Sequence, residues 1–96
     1  NSNSHWTSGS ISTYYAQGHF KWGDGNVSVT NPAGNINNIP GDCSVSDKSV
    51  SSGTGKYGYI FNNYAYVTFS CKATSMVGMH ENLSVTIRIS ESGNAI

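Results

Sequence analysis

The sequence predicts an all-β fold, a small antiparallel two-layer β-sandwich, from two alternating segments and the spacing of the turns around them. Residues 64–71 and residues 83–89 alternate between apolar and polar side chains. Because successive side chains of a strand point to opposite faces, each segment presents one apolar face and one polar face. β-Branched and aromatic residues supply much of both segments, as expected of a half-buried sheet. We therefore place these two strands at the centre of the fold.

The N-terminal third predicts an arm, a strand and a hairpin. Residues 1–9 are rich in Asn and Ser and predict a loose arm, in which Trp6 either packs against the sheet or stands exposed as a contact residue. Residues 11–16 contain β-formers throughout and predict the first strand. Residues 18–30 predict a hairpin, because the Asp-Gly pair at 24–25 lies between alternating segments and suits a type I′ turn.

The middle of the chain predicts a loop and two weaker strands. Residues 31–42 contain both prolines and predict a crossing loop, because proline lacks a ladder donor. Residues 43–50 alternate weakly and carry an adjacent Asp and Lys, which predicts an edge strand. A turn is expected over residues 51–55, followed by an aromatic strand over residues 56–61. The Asn-Asn pair at 62–63 then predicts the turn into the central strand.

Residues 72–82 connect the two central strands and are longer than an ordinary hairpin loop. The two strands therefore either pair directly or lie in facing sheets. Met76, Val77 and Met79 make the connection partly apolar, and we expect them to cap one end of the core. Residues 91–96 predict a frayed tail.

The whole chain, residues 1–96, is expected to form one domain of six or seven strands. Its turns recur at roughly 8–12 residues, which is typical of an immunoglobulin-like sandwich. A small barrel is the alternative architecture.

Composition and charge restrict the partners. Charged residues make up 10% of the chain and give a formal net charge of zero. Nucleic acid binding and adsorption to anionic lipid both need a basic surface, so neither partner is predicted. No apolar segment reaches transmembrane length, and the chain starts at Asn1 without a signal peptide. We interpret it as a mature secreted, extracellular protein, with an excised module of a larger secreted protein as the alternative.

Two cysteines, Cys43 and Cys71, predict one disulfide, because thiols usually pair in an oxidising compartment. Cys71 falls on the apolar parity of its strand, so the bond would be buried. By closing the loop between Cys43 and Cys71, the disulfide would stabilise the fold by roughly 3–4 kcal/mol. Two free buried thiols, or a metal held by both, are the alternative.

The titratable side chains do not form a catalytic or metal-binding pattern. The three histidines lack the spacing of a zinc site, and Asp24 has too few neighbouring carboxylates for a calcium site. His80 and Glu81 are adjacent, but a solvated loop explains them better than a polar site. We therefore predict a non-enzymatic protein without a metal or cofactor. Asn26 and Asn82 fit the N-glycosylation sequon, which matters only in a eukaryotic host.

The six tyrosines are too many to bury in a domain of this size. Two lie on the polar face of the central strand, and two share one face of the segment before it. If these segments pair, the rings form an exposed strip bordered by hydroxyls and amides, which suits sugars and also protein contacts. The competing interpretation is that cross-strand tyrosines only stiffen the sheet. The predicted ligand-binding residues are Tyr57, Tyr59, Tyr64, Tyr66 and Trp22.

The predicted function is that of a small secreted binding domain. Its partner would be an extracellular glycan, another cell-surface component or a protein, with Trp6 or Trp22 as a further contact. The first alternative is a secreted antimicrobial or toxin-like protein acting on other cells, although the missing basic charge weighs against it. The second is an inhibitor of an extracellular enzyme, in which residues 31–42, or residues 72–82 with their methionines, enter the enzyme's cleft.

Overall fold

A computed structural model describes residues 3–11, 13–37, 43–57 and 62–95 of the chain. Over these residues the chain forms six antiparallel strands and no helix, which confirms the predicted all-β class. The strands are β1 (Asn3–Ile11), β2 (Tyr14–Gly23), β3 (Asn26–Ile36), β4 (Cys43–Tyr57), β5 (Asn62–Ser75) and β6 (His80–Ser90). They form two three-stranded sheets in the orders β1-β2-β3 and β4-β5-β6.

The two sheets pack face to face, which is consistent with the predicted β-sandwich. β1 lies over β6, β2 over β5 and β6, and β3 over β4 and β5. The described strands make two separate sheets, so the alternative of a closed barrel is wrong. Each sheet consists of three consecutive strands, whereas an immunoglobulin-like sandwich has Greek-key connections between its sheets. The predicted immunoglobulin-like connectivity is therefore also wrong, and the architecture is two successive meanders.

The β2–β3 hairpin is confirmed at the predicted turn. Gly23 pairs with Asn26, which leaves Asp24 and Gly25 as a two-residue connection. Their φ angles are 53° and 78°. Two consecutive positive φ angles are the signature of a type I′ turn, whose twist matches that of the flanking strands.

The described residues near each end of the chain, 3–11 and 91–95, fold onto the sheets. Residues 3–11, most of which were expected in a loose arm, form β1 and pair along their length with β2. The tail turns back at Ser90, whose N–H donates to the Asn94 carbonyl at 2.8 Å. Ala95 then forms an isolated bridge with Ile89. Residues 91–95 therefore lie beside β6 instead of fraying from it.

β3 continues through residues that were expected to begin a loop. A bulge at Asn31 and Pro32 interrupts its pairing with β2, and Asn31 has a φ of 53°. Proline is tolerated in a bulge because no ladder donor is required there. Pairing resumes at Ala33, so the predicted loop is wrong for residues 31–36. Residues 38–42 lie outside the described part of the chain.

β4 is one strand where a strand, a turn and a second strand were expected. Its residues 49–57 pair continuously with β5, so the turn predicted at 51–55 is wrong. The edge position predicted for residues 43–50 is confirmed, and a bulge lies between Ser46 and Ser49. Both asparagines at 62–63 belong to β5 and pair with residues of β4, so the turn expected there is wrong as well.

The two central strands pair directly as the β5–β6 hairpin. The Ser75 N–H donates to the Met79 carbonyl at 2.9 Å, and Gly78 takes a φ of 83°. The side chains of Met76, Val77 and Met79 are 82%, 82% and 72% exposed. The expectation that they cap the core is therefore wrong, because direct pairing carries them to the hairpin tip.

The core lies between the sheets, and β5 contributes more of it than any other strand. The apolar face predicted for residues 64–71 is buried, as is much of the face predicted for residues 83–89. Gly34 and Gly18 of the facing sheet leave room for β5, since a Cβ built on them would lie 2.6 Å from Phe69 and 2.9 Å from Val67. The buried apolar residues are Ala16, Phe20, Val27, Ala65, Val67, Phe69, Cys71, Val85 and Ile89.

The predicted disulfide is wrong within the residues that the structure describes. Cys71 is a free, buried thiol. Cys43 pairs along the backbone with Ser75, four residues beyond Cys71 on β5. At a rise of about 3.3 Å per residue, the Cα atoms of the two cysteines are at least ~13 Å apart, whereas a disulfide needs less than about 7 Å.

Candidate functional site

Two tyrosines of β5 lean across β4 and lie over glycines. Tyr66 pairs with Gly53 and Tyr64 pairs with Gly55. A Cβ built on Gly53 would lie 3.0 Å from the Tyr66 hydroxyl oxygen, and one on Gly55 would lie 2.7 Å from that of Tyr64. A side chain at residue 53 or 55 would push the facing ring away, so the two glycines set the positions of the tyrosine rings. We call these four residues the tyrosine platform.

The platform faces solvent on the outer side of the β4-β5-β6 sheet. The two rings are half-buried, with centroids 6.2 Å apart and planes inclined by 45°. Their neighbours Ala65 and Val67 are buried, because alternate residues of β5 point into the core. The arrangement holds two aromatic surfaces in place on a rigid strand.

A cationic side chain and two hydroxyls border the platform. Arg88 pairs with Tyr66 across β5 and β6, and its Cζ lies 6.0 Å from the centroid of the Tyr64 ring. This distance is at the outer limit of a cation–π contact. The hydroxyls of Thr68 and Thr86 hydrogen-bond to each other at 2.9 Å. Together with the two rings, these three residues line an open cavity of about 220 Å³.

Hydroxyls extend the polar surface beyond the cavity. Ser49 pairs with Ser70, and their Oγ atoms are 2.7 Å apart. Ser84 follows on β6 opposite Ser70. One end of this outer face is therefore hydroxylated and the other is aromatic, with Arg88 at the aromatic end opposite Tyr66.

The structure brings together only part of the predicted ligand-binding set. Tyr64 and Tyr66 are neighbours, as predicted. Trp22 lies on the inner face of the other sheet, where it packs on the core and against Gly93 of the tail. The side chain of Tyr57, and Tyr59 as a whole, lie outside the described part of the chain.

Sequence reasoning missed the residues that pair with the tyrosines. Gly53 and Gly55 were interpreted as turn residues, although glycines at alternate positions leave one face of a strand without side chains. Arg88 falls on the polar face of the segment 83–89, which by itself does not point to a site. Pairing of β5 with β6 places Arg88 on the same face as the platform. The sequence left open whether these two strands pair.

Trp6 is the exposed tryptophan. It lies opposite His19 on the outer face of the β1-β2-β3 sheet and is 58% exposed. The sequence allowed either an exposed or a packed position for it, and the alternation of β1 decides between them.

Ionisable chemistry is sparse across the described ranges. There, no group of three or more His, Cys, Asp or Glu side chains is placed to hold a metal ion.

Burial raises the pKa of the Cys71 thiol above its ordinary value, and the Lys48 ammonium opposes this shift. An open cavity of about 320 Å³ beside Cys71 is lined by Asp47, by Lys72 and Ser70 of β5, and by Asn82, Leu83 and Ser84 of β6. A buried thiol with a raised pKa is a poor nucleophile.

Comparison with protein-family models, curated proteins and solved structures finds no match to this chain. Within the described residues, no helix is long and apolar enough to cross a membrane. The functional assignment therefore depends on the geometry of the surface.

Proposed function

We propose that this protein is a non-enzymatic binding domain whose tyrosine platform recognises the rings of an extracellular saccharide. The observation that carries the proposal is the position of the Tyr64 and Tyr66 rings over Gly55 and Gly53. Rings held in this way offer a surface to a ligand without first losing much side-chain freedom, which lowers the entropic cost of binding.

The chemistry of the surface suits a sugar. Aromatic rings pack against the C–H groups on one side of a pyranose, while the sugar hydroxyls need hydrogen-bonding partners around its rim. Thr68 and Thr86 offer hydroxyls that both donate and accept, and Arg88 offers several N–H donors. An arginine also accommodates the carboxylate of a uronic acid, so acidic polysaccharides belong among the ligands to be tested.

The size of the site favours one or two sugar units per platform. Its volume, about 220 Å³, is below the ~300–1,000 Å³ of clefts that enclose drug-sized ligands. A hexose of about 12 non-hydrogen atoms, at ~0.3 kcal/mol per atom, would bind with about 4 kcal/mol, or a Kd near 1 mM. Useful retention would therefore come from a polymer that offers many equivalent sites.

The test is retention on insoluble polymers, namely cellulose, chitin, the insoluble fraction of xylan, calcium-gelled pectin and peptidoglycan. A variant with Tyr64→Ala and Tyr66→Ala should lose most of the retention that the wild-type protein shows. The matched variant with Tyr64→Phe and Tyr66→Phe keeps the rings and should keep most of the retention. Equal retention of the alanine variant would remove the platform as the site. A wild-type protein that none of the polymers retains would overturn the proposed function.

A second candidate function, inhibition of an extracellular enzyme, is favoured by the hairpin tip. Met76, Val77 and Met79 are exposed on a turn that the Ser75 hydroxyl further fixes by accepting from the Met79 N–H at 3.2 Å. A convex apolar tip of this kind complements an apolar cleft, and methionine adapts to irregular surfaces. A panel of secreted proteases and glycosidases, titrated with the wild type and with a variant carrying Met76→Ser and Met79→Ser, tests it. Stoichiometric inhibition by the wild type alone is the expected result.

A further inference from the structure

The opposite face of the molecule carries a second stacked aromatic pair. Trp6 of β1 and His19 of β2 are direct cross-strand partners. Their ring centroids are 5.0 Å apart and their planes differ by only 12°, which is an offset stack. One side of the indole is covered by the imidazole, and the high exposure of Trp6 places the other side in solvent.

The position of Trp6 keeps its free side accessible. β1 is the edge strand of its sheet, so no described strand lies beyond Trp6 on that side. The next outward residues along β1 are Ser4 and Ser8, and both are exposed. Outward-facing residues of one strand are about 6.6–7 Å apart, so their hydroxyls lie within reach of the rim of a sugar stacked on the indole.

The second strand adds further polar groups around the pair. Gln17 and Lys21 flank His19 on the outward face of β2, and Thr30 lies opposite His19 on β3. The Thr30 hydroxyl donates to the His19 carbonyl at 3.4 Å. The surroundings therefore match those of the tyrosine platform in kind: aromatic surface, hydroxyls, and one cation, Lys21 here and Arg88 there.

Stabilisation of the sheet does not by itself explain why the Trp6–His19 stack is exposed. Cross-strand aromatic pairs stabilise sheets by roughly 0.2–1 kcal/mol, but the most favourable place for an indole is the core. Trp6 instead leaves more than half of its surface in water. Most other residues on this outer face are small or polar, so the indole is an isolated apolar surface in a hydrophilic setting.

We infer that the Trp6–His19 pair is a second saccharide-stacking site, which makes the domain bivalent. This inference rests on the proposed function of the tyrosine platform. The two sites lie on opposite outer faces of the two-layer molecule, whose shortest dimension is 17 Å. One sugar ring cannot contact both, so the domain joins two saccharide chains.

The test combines cross-linking with a residue-specific signal. The probe is a soluble form of whichever polysaccharide retains the wild type, for example carboxymethyl cellulose or glycol chitin. The wild type should make its solution turbid, whereas Trp6→Ala should not, although it stays bound to the insoluble polymer. Trp6→Tyr, which keeps a ring, should restore much of the turbidity.

The second measurement is made in the variant with Tyr64→Ala and Tyr66→Ala, using the Trp6 indole N–H signal in nitrogen-correlated NMR spectra. That signal is assigned by its loss in Trp6→Phe. A short oligosaccharide of the retaining polymer should shift it while leaving the Trp22 signal in place. A static Trp6 signal, together with full cross-linking by Trp6→Ala, would overturn the second site and leave the platform standing. Failure of every polymer to retain the wild type would overturn the platform and, with it, the second site.

Discussion

Gly34 of β3 lies directly over Phe69 of β5, so that a Cβ built on the glycine would be 2.6 Å from the Phe69 Cβ. Phe69 is among the largest fully buried side chains of the protein. At this point a strand without a side chain faces a strand with a large one, which lets the two sheets approach each other closely. Because protein interiors are closely packed, even one added methyl group at this position should be felt.

Gly34→Ala should destabilise the protein by about 1–3 kcal/mol, because the new methyl group overlaps Phe69. Urea unfolding measures the loss. The control is Gly34→Ala combined with Phe69→Ala, which removes the Cγ and Cδ1 atoms that would lie 2.8 Å from the methyl group. The double variant should lose less than the sum of the two single losses, and strictly additive losses would show that the two residues do not compete for space.

Gly93→Ala should cost more than Gly78→Ala. Both glycines have positive φ, 85° and 83°, so both substitutions carry the same backbone penalty of about 1–2 kcal/mol. A Cβ on Gly93 overlaps the Trp22 ring, while a Cβ on Gly78 meets nothing within 4 Å. Comparing the two variants separates the cost of the overlap with Trp22 from the cost of the backbone conformation. The measurement is urea unfolding followed by circular dichroism. Equal losses would mean that the tail does not hold Trp22.

Alkaline pH should weaken the fold through Cys71. Burial raises the pKa of its thiol, opposed in part by the Lys48 ammonium, so the unfolded chain releases this proton more readily than the folded one. The contribution of the neutral thiol is complete below the ordinary value of 9.0 and is lost as the pH rises beyond it. Unfolding free energies on either side of pH 9.0 should therefore fall more steeply for the wild type than for Cys71→Ala. Parallel profiles would contradict the assignment.

Mild hydrogen peroxide should oxidise both methionines without unfolding the protein. Met76 and Met79 are the only two in the chain, and both side chains lie in solvent at the hairpin tip. Mass spectrometry should find both sulfoxides early in the reaction, with an unchanged circular dichroism spectrum. Loss of the β-sheet signal in step with oxidation would place these side chains in the core instead.

Gly53→Ala should displace the Tyr66 ring while changing stability by less than about 1 kcal/mol, because the atoms that a Cβ approaches belong to the outer end of a flexible side chain. The observable is the shift of the Tyr66 ring resonances, accompanied by weaker polysaccharide retention. Ser51→Ala is the control, since residue 51 lies on the same strand and face but opposite Thr68. Identical behaviour of the two variants would remove Gly53 as the residue that positions Tyr66.

The strands that the sequence predicts well are those with one buried face and one exposed face. β5 and β6 alternate because one face meets the core, and the Asp24-Gly25 turn requires positive φ that few residue pairs accept. β4 carries no such signal, because small hydroxylated residues and glycines on an edge strand resemble a turn. The bulge at Asn31 and Pro32 breaks the two-residue period of β3, so the predicted strand stopped there, whereas β4 was divided at its serines and glycines.

The site was only half predictable for a related reason. The parity of β5 places Tyr64 and Tyr66 on the outer face, and this follows from alternation alone. The partners that shape the site, Gly53, Gly55 and Arg88, follow only from the register of three strands, which single-strand patterns do not contain. The disulfide prediction failed in the same way, since it counted cysteines without knowing their distance along the sheet.

The long edge strand β4 has a practical consequence for anyone preparing this protein. The bulge between Ser46 and Ser49 interrupts only the first part of that strand, and between Ser49 and Thr54 its side chains are uncharged. β6, at the other edge, is partly covered by Ala95. With a net charge of zero, molecules do not repel one another near neutral pH. We therefore expect concentrated samples to associate edge to edge through β4, and we expect Ser52→Lys to reduce that association.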